Sequence, residues 1–132
     1  MTQIKISTAA MRTDLGRVRG LGSAKDGVAH WWAQRVYGVA LVPLTLWFVF
    51  SVIGLAGASQ AQVQAWMASP INTALLVLLV FTTFHHLLLG LQTVIEDYIR
   101  AEGWKLVVQM SMRFVAVLFG MAGILAVLRV AL

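Results

Sequence analysis

A chain of 132 residues that is 60% hydrophobic and 11% charged, with a mean hydropathy of +0.84, has too little polar surface for a soluble domain and reads as an integral membrane protein. Its formal net charge of +5 does not point to nucleic acid, because the basic residues gather at one end instead of forming a patch interleaved with aromatics. The absence of cysteine excludes disulfides, thiolate metal sites and cysteine-ligated iron-sulfur clusters, so any redox centre held here must use histidine.

Residues 1–30 form a polar, basic arm in which Lys5, Arg12, Arg17, Arg19 and Lys25 are set against Asp14 and Asp26. The arm has neither the apolar core nor the small-residue cleavage site of a signal peptide, so it is expected to be retained. Its four glycines, Gly16, Gly20, Gly22 and Gly27, predict irregular chain with room for a short helix. The first apolar run, Val36 to Ala56, supplies about the twenty residues a bilayer crossing needs and predicts a membrane helix over about 31–57. Trp31 and Trp32 stand before it at headgroup level. Pro43 removes one helical hydrogen bond and predicts a kink. An uncharged polar loop begins at Gly57 and includes Trp66. Ser69-Pro70 then opens a second helix over about 70–100. Arg100 to Lys105 form a charged turn with Gly103 and the interfacial Trp104. A third helix over about 104–130 is interrupted only by Arg113. The fold class is therefore an all-α membrane protein with three transmembrane helices, organised as a single domain over 1–132 and forming part of a hetero-oligomeric helical bundle. Lysine and arginine are rich in the arm, absent from the first loop and present in the second as Arg100 and Lys105. That bias predicts a cytoplasmic N-terminus and a C-terminus, with Arg129, on the opposite side.

The end of the second helix, His85 to Arg100, holds two of the three histidines and two of the five acidic residues of the chain. Ionisable groups at that depth are expensive and point to function. At 100° per residue, Thr82, Gly90, Thr93 and Asp97 share one face with His86, within about 40° for the last three. His85 points about 100° away and aligns with Gln92 and Glu96, so two polar stripes compete. Eleven residues separate His86 from Asp97, about 16 Å, which sets His86 near mid-bilayer and Asp97, Tyr98 and Arg100 at one rim, near Arg35. A histidine there suits an axial haem ligand below a polar headgroup or quinone site. It equally suits a hydrogen bond across a helix interface, with Gly90 making room for a flat macrocycle or for a neighbouring helix. Glu96, Asp97, Arg100 and Glu102 also read as plain rim charges, and His30 as interfacial.

His86-x-x-x-Gly90 followed by Val94, Asp97 and Tyr98 on the second of three helices resembles the membrane-anchor D subunits of succinate dehydrogenase, respiratory complex II. The arm Ser23-Ala24-x-x-Gly27-x-x-His30-Trp31-Trp32-x-Gln34-Arg35 is similar to that of the proteobacterial members. The resemblance implies that His86 is an axial ligand of haem b, shared with a histidine of the companion C subunit, the other membrane anchor of such complexes. It implies that Tyr98 hydrogen-bonds a carbonyl of ubiquinone, with Asp97 supporting that site or its protonation. Arg35, at the haem propionates or the quinone mouth, and His30, at the propionates, complete the implied set. The further partners implied are an iron-sulfur subunit and a flavoprotein subunit on the cytoplasmic face of a bacterial inner membrane.

Helical geometry supports a partner independently. His85 diverges from His86 by about 100° and cannot supply the opposite axial position, and His30 is too shallow, so a six-coordinate haem needs a histidine from another chain. The chain has no dicarboxylate site, flavin fingerprint or iron-sulfur cysteines, so it holds no complete active site and receives electrons extracted elsewhere. The competing readings are a cofactor-free structural anchor and a small proton-conducting subunit that uses His85, His86, Glu96 and Asp97 as a relay.

Overall fold

The computed structural model describes residues 13–20 and 27–132. All its regular structure is helical among the described residues: α1 (Asp14–Arg19), α2 (Gly27–Gly54), α3 (Gln60–Met67), α4 (Pro70–Tyr98) and α5 (Glu102–Ala131). Three of these, α2, α4 and α5, are long and apolar enough to cross a membrane, with 28, 29 and 30 residues. At 1.5 Å per residue each is longer than a hydrocarbon core of about 30 Å, so their ends project into the headgroup region. The chain is a multi-pass membrane protein with the expected three spans.

Local signals explain where these helices begin and where they depart from expectation. α1 forms within the arm because Thr13 caps it, its hydroxyl accepting from the Gly16 N–H at 3.1 Å, and Gly20 ends it at φ 53°. α2 starts at Gly27, earlier than the expected 31, because nothing between Gly27 and the apolar run breaks a helix. Trp31 and Trp32 therefore lie inside its first turns, edge to face with 5.0 Å between ring centroids. α2 runs through Pro43 as one helix. The stretch expected as a polar loop contains α3, and this is a correction. Ser59 accepts from the Gln62 N–H while Gln62 Oε1 accepts from the Ser59 N–H at 2.8 Å, a reciprocal cap that satisfies two orphan donors. Trp66 of α3 stacks on Trp47 of α2 at 5.8 Å. The corner into α4 is tied by Asn72 Nδ2 donating to the Trp66 carbonyl at 2.8 Å and Thr73 Oγ1 donating to the Met67 carbonyl at 2.6 Å.

α4 is the centre of the molecule. It packs against both α2 and α5, which do not meet each other, so the three spans form a row with α4 between two antiparallel neighbours. Glycines on the outer helices set the approach. On α5, a Cβ at Gly120 would meet Phe84 at 3.3 Å and one at Gly123 would meet Val80 at 3.1 Å. On α2, a Cβ at Gly38 would meet the His86 ring at 3.2 Å. Few side chains are fully covered: Leu44, Leu76, Ile95 and Ala116 are buried, with Thr82 the one buried polar residue among the described residues.

Candidate functional site

His86 lies about halfway along α4 and turns toward α2. Its Nδ1 is 3.2 Å from the main-chain carbonyl oxygen of Gln34. A carbonyl can only accept, so in this contact Nδ1 donates, and Nε2 is the ring nitrogen left to act as a ligand. That nitrogen makes no hydrogen bond among the described residues. A metal-binding imidazole takes this form, one nitrogen fixed by a carbonyl and the other free to ligate. No three histidine or acidic side chains come together as a metal cluster among the described residues, so such a metal would draw its other donors from outside those residues.

Gly90, one turn along the same face, faces α2: a Cβ there would meet Gln34 Nε2 at 3.3 Å. Of the two uses open to this glycine, the structure shows the packing one. Beyond Gln34, the start of α2 and Thr93 of α4 border a groove of about 360 Å³ that also takes in Gly27, His30, Trp31 and Arg35. His30 Nε2 and Gln34 Oε1 are buried here without a hydrogen-bond partner among the described residues. Arg35 lies over the Trp31 ring, its Cζ 4.0 Å from the centroid, which holds the guanidinium near the groove. Thr93 does not complete these atoms, because its hydroxyl donates to the Leu89 carbonyl of its own helix at 3.2 Å. A ring nitrogen able to donate, beside a guanidinium, fits a carboxylate-bearing ligand, whereas the Gln34 amide oxygen only accepts and takes no part in such a contact.

Asp97 and Tyr98 stand apart from this groove. Tyr98 is 83% exposed at the end of α4, and neither side chain has a hydrogen bond or ion pair with another described residue. The rim residues expected to gather around Arg35 are therefore not joined to it within the chain. A ligand at Tyr98 would need walls from elsewhere.

The second polar stripe divides. His85 turns into an aromatic group, its ring 4.4 Å from that of Tyr37 on α2 and stacked on Phe81 at 5.6 Å. Gln92 and Glu96 instead face α5. Arg113 Nη2 donates to Gln92 Oε1 at 3.1 Å, Gln92 Nε2 donates to Glu96 Oε1 at 2.9 Å, and Gln109 Nε2 donates to the same oxygen at 3.1 Å. The arginine that interrupts the third apolar run is thus the head of a four-residue ladder between α4 and α5.

Sequence reasoning assigns no role to Gln34, Gly38, Tyr37 or Gln109. Gln34 and Gly38 are one turn apart, and a glycine four residues after a polar residue in an apolar span is the signal that could mark them. The Ser23-Ala24 end of the arm motif lies outside the described residues.

Residues 9–125 match the family of succinate dehydrogenase/fumarate reductase transmembrane subunits. The chain is 31% identical over 121 residues to the succinate dehydrogenase hydrophobic membrane anchor subunit of Rickettsia bellii, covering 91% of this chain and 96% of that one. It is 36% identical over 107 residues to the corresponding subunit of Paracoccus denitrificans, covering 81% and 79%. The succinate dehydrogenase membrane anchor subunit of Reclinomonas americana is 27% identical over 96 residues, covering 70% and 80%.

Proposed function

The chain belongs to the succinate dehydrogenase/fumarate reductase transmembrane-subunit family, and from that premise we propose that it anchors a succinate:ubiquinone oxidoreductase, helps hold haem b, and contributes to the site where quinone is reduced. The observation that carries this reading is the His86 imidazole, fixed through Nδ1 and free at Nε2, halfway along a membrane span. Lysine and arginine in the arm and at Arg100 and Lys105 support a cytoplasmic N-terminus in a bacterial inner membrane, with the flavoprotein and iron-sulfur subunits docked on that face.

Bound haem would supply a one-electron store beside the quinone site. His86 would hold its iron through Nε2, together with a histidine from the companion membrane anchor. The guanidinium of Arg35 and His30 Nε2, without a partner among the described residues, would supply the charge and hydrogen-bonding capacity that propionates require.

Quinone reduction consumes two electrons and two protons. The Tyr98 hydroxyl, at the exposed end of α4, is free to donate a hydrogen bond to a quinone carbonyl and to stabilise the negative charge that grows there as electrons arrive. The neighbouring Asp97 carboxyl, open to water at the same rim, can take a proton from the cytoplasmic side and pass it toward that oxygen. This chain then provides one wall of the site and partner subunits provide the others. The spans, lacking a closed core of their own, are built for that association.

The test is the reduced-minus-oxidised spectrum of the intact complex. A b-type spectrum in the parent that disappears in His86→Ala supports the reading. A native spectrum in that variant would reassign the ligand, and a parent complex with no such spectrum would leave a cofactor-free anchor.

A further inference from the structure

We propose that Gly38, together with the main-chain carbonyl of Gln34, forms the socket that orients the His86 imidazole, so that a position on α2 controls the ligand carried by α4. The inference rests on the reading of His86 as a haem ligand and adds the element that positions it.

A carbonyl inside an α-helix points along the axis toward the residue four positions on, whose N–H it already accepts. Its second lone pair remains available, but the side chains one turn further along the helix stand around it. A neighbouring helix can reach that oxygen only where one of those side chains is absent. Gly38 is four residues after Gln34, and the His86 ring occupies the space its missing side chain leaves. A Cβ there would sit 3.2 Å from His86 Cε1 and 3.7 Å from Nδ1. The same ring places Nδ1 3.2 Å from the Gln34 oxygen.

These two contacts act in different ways. The carbonyl fixes which nitrogen bears the proton, because it can only accept. Gly38 fixes how far the ring can approach and tilt, because the atom facing it is ring carbon Cε1, which lies between the two nitrogens and moves with both. The imidazole is short and rigid and has no remote end to swing aside. A methyl group at 38 must therefore shift the ring itself. Gly90 offers the contrast, since a Cβ there meets the amide nitrogen at the far end of the Gln34 side chain at 3.3 Å. That amide can rotate away without moving the carbonyl.

The experiment uses the whole complex purified with its companion subunits, carrying Gly38→Ala, Gln34→Ala or Gly54→Ala in this chain. The readouts are the rate of haem transfer to apomyoglobin and the low-spin ferric electron paramagnetic resonance signal. Gly38→Ala is expected to speed haem loss on the order of 10- to 100-fold, the size seen when the support of a metal ligand is disturbed, and to displace the low-spin signal. Gln34→Ala keeps the carbonyl and removes only a side-chain amide whose oxygen cannot serve a carboxylate, so it should lose haem at the parent rate. Gly54→Ala, on the same helix with nothing within 4 Å of the new Cβ, should also match the parent.

A parent rate and signal in Gly38→Ala would overturn the proposal, as would a Gln34→Ala variant that loses haem as fast as Gly38→Ala. If Gly38→Ala does not assemble, Gln34→Ala decides alone: parent-like retention supports the backbone socket, and a rise on the order of tenfold or more overturns it. His86→Ala separates the two levels. Haem retained in that variant removes the ligand reading, whereas haem lost there and held normally in Gly38→Ala removes only the socket.

Discussion

The two faces of α4 use glycine for opposite ends. Toward α5, Gly120 and Gly123 receive Phe84 and Val80, apolar side chains that gain packing contacts by the close approach. Toward α2, Gly38 and Gly90 receive the His86 ring and the Gln34 amide, both polar. The polar groups differ in the same sense. Between α4 and α5, Arg113, Gln92, Glu96 and Gln109 bond to one another. On the α2 side, the buried His30 Nε2 and the Nε2 of His86 have no hydrogen-bond partner among the described residues. A membrane protein has little reason to keep unpaired polar atoms among its spans unless something outside the chain completes them. The α4/α5 face is an adhesive surface, and under the proposed function the α2/α4 face is a receiving one.

The largest expected effect separates two adjacent residues. His86→Ala should abolish the b-type difference spectrum of the complex, while His85→Ala should preserve it, since the His85 ring is held between Tyr37 and Phe81. A lost spectrum in His85→Ala and a retained one in His86→Ala would reverse the assignment. The next effect lies at the end of α4. Tyr98→Phe removes one hydroxyl from an exposed position and should lower quinone reductase activity by about 10- to 100-fold, the worth of a hydrogen bond to a charged oxygen, with the haem spectrum intact. Unchanged activity in that variant would take Tyr98 out of the site.

Most of the fold is legible in the sequence because the bilayer imposes a simple length and polarity code. Three apolar runs and the Ser69-Pro70 start locate three spans, and the depth of His86 follows from its distance to the end of α4. α3 escapes a reading of charge alone, although its Ser59 to Gln62 capping box stands in the sequence between two apolar runs. The site is legible only along α4. Helical geometry places His86, Gly90, Thr93 and Asp97 on one face, but which helix each face meets depends on packing that one helix does not encode. The stripe of His85, Gln92 and Glu96 shows this directly, since its first member meets α2 and the other two meet α5. A main-chain carbonyl serving as a partner, as Gln34 does for His86, has no residue signature at all.

Two smaller effects sharpen the comparison on the adhesive side. Gly120→Val adds bulk where even a Cβ would lie 3.3 Å from Phe84. It should destabilise the complex by about 1–3 kcal/mol, the usual range for overpacking, without altering the haem spectrum. Thermal unfolding followed beside the spectrum checks both parts, and a changed spectrum would show that the two faces of α4 are coupled.

The smallest effect probes the ladder by a double-mutant cycle on Arg113→Leu and Gln92→Leu. The two residues share one hydrogen bond at 3.1 Å, so their losses should not add. Hydrogen bonds between membrane helices couple by only about 0.6 kcal/mol on average, because the separated helices find other partners for the same groups. A coupling of about that size, measured from denaturation midpoints in detergent, fits an adhesive contact. The charge on Arg113 gives the experiment a second edge. If that guanidinium served an outside ligand, Arg113→Leu would change quinone or haem readouts while Gln92→Leu would not. If it serves only to tie α5 to α4, both single variants lower stability and leave electron transfer to quinone as it was.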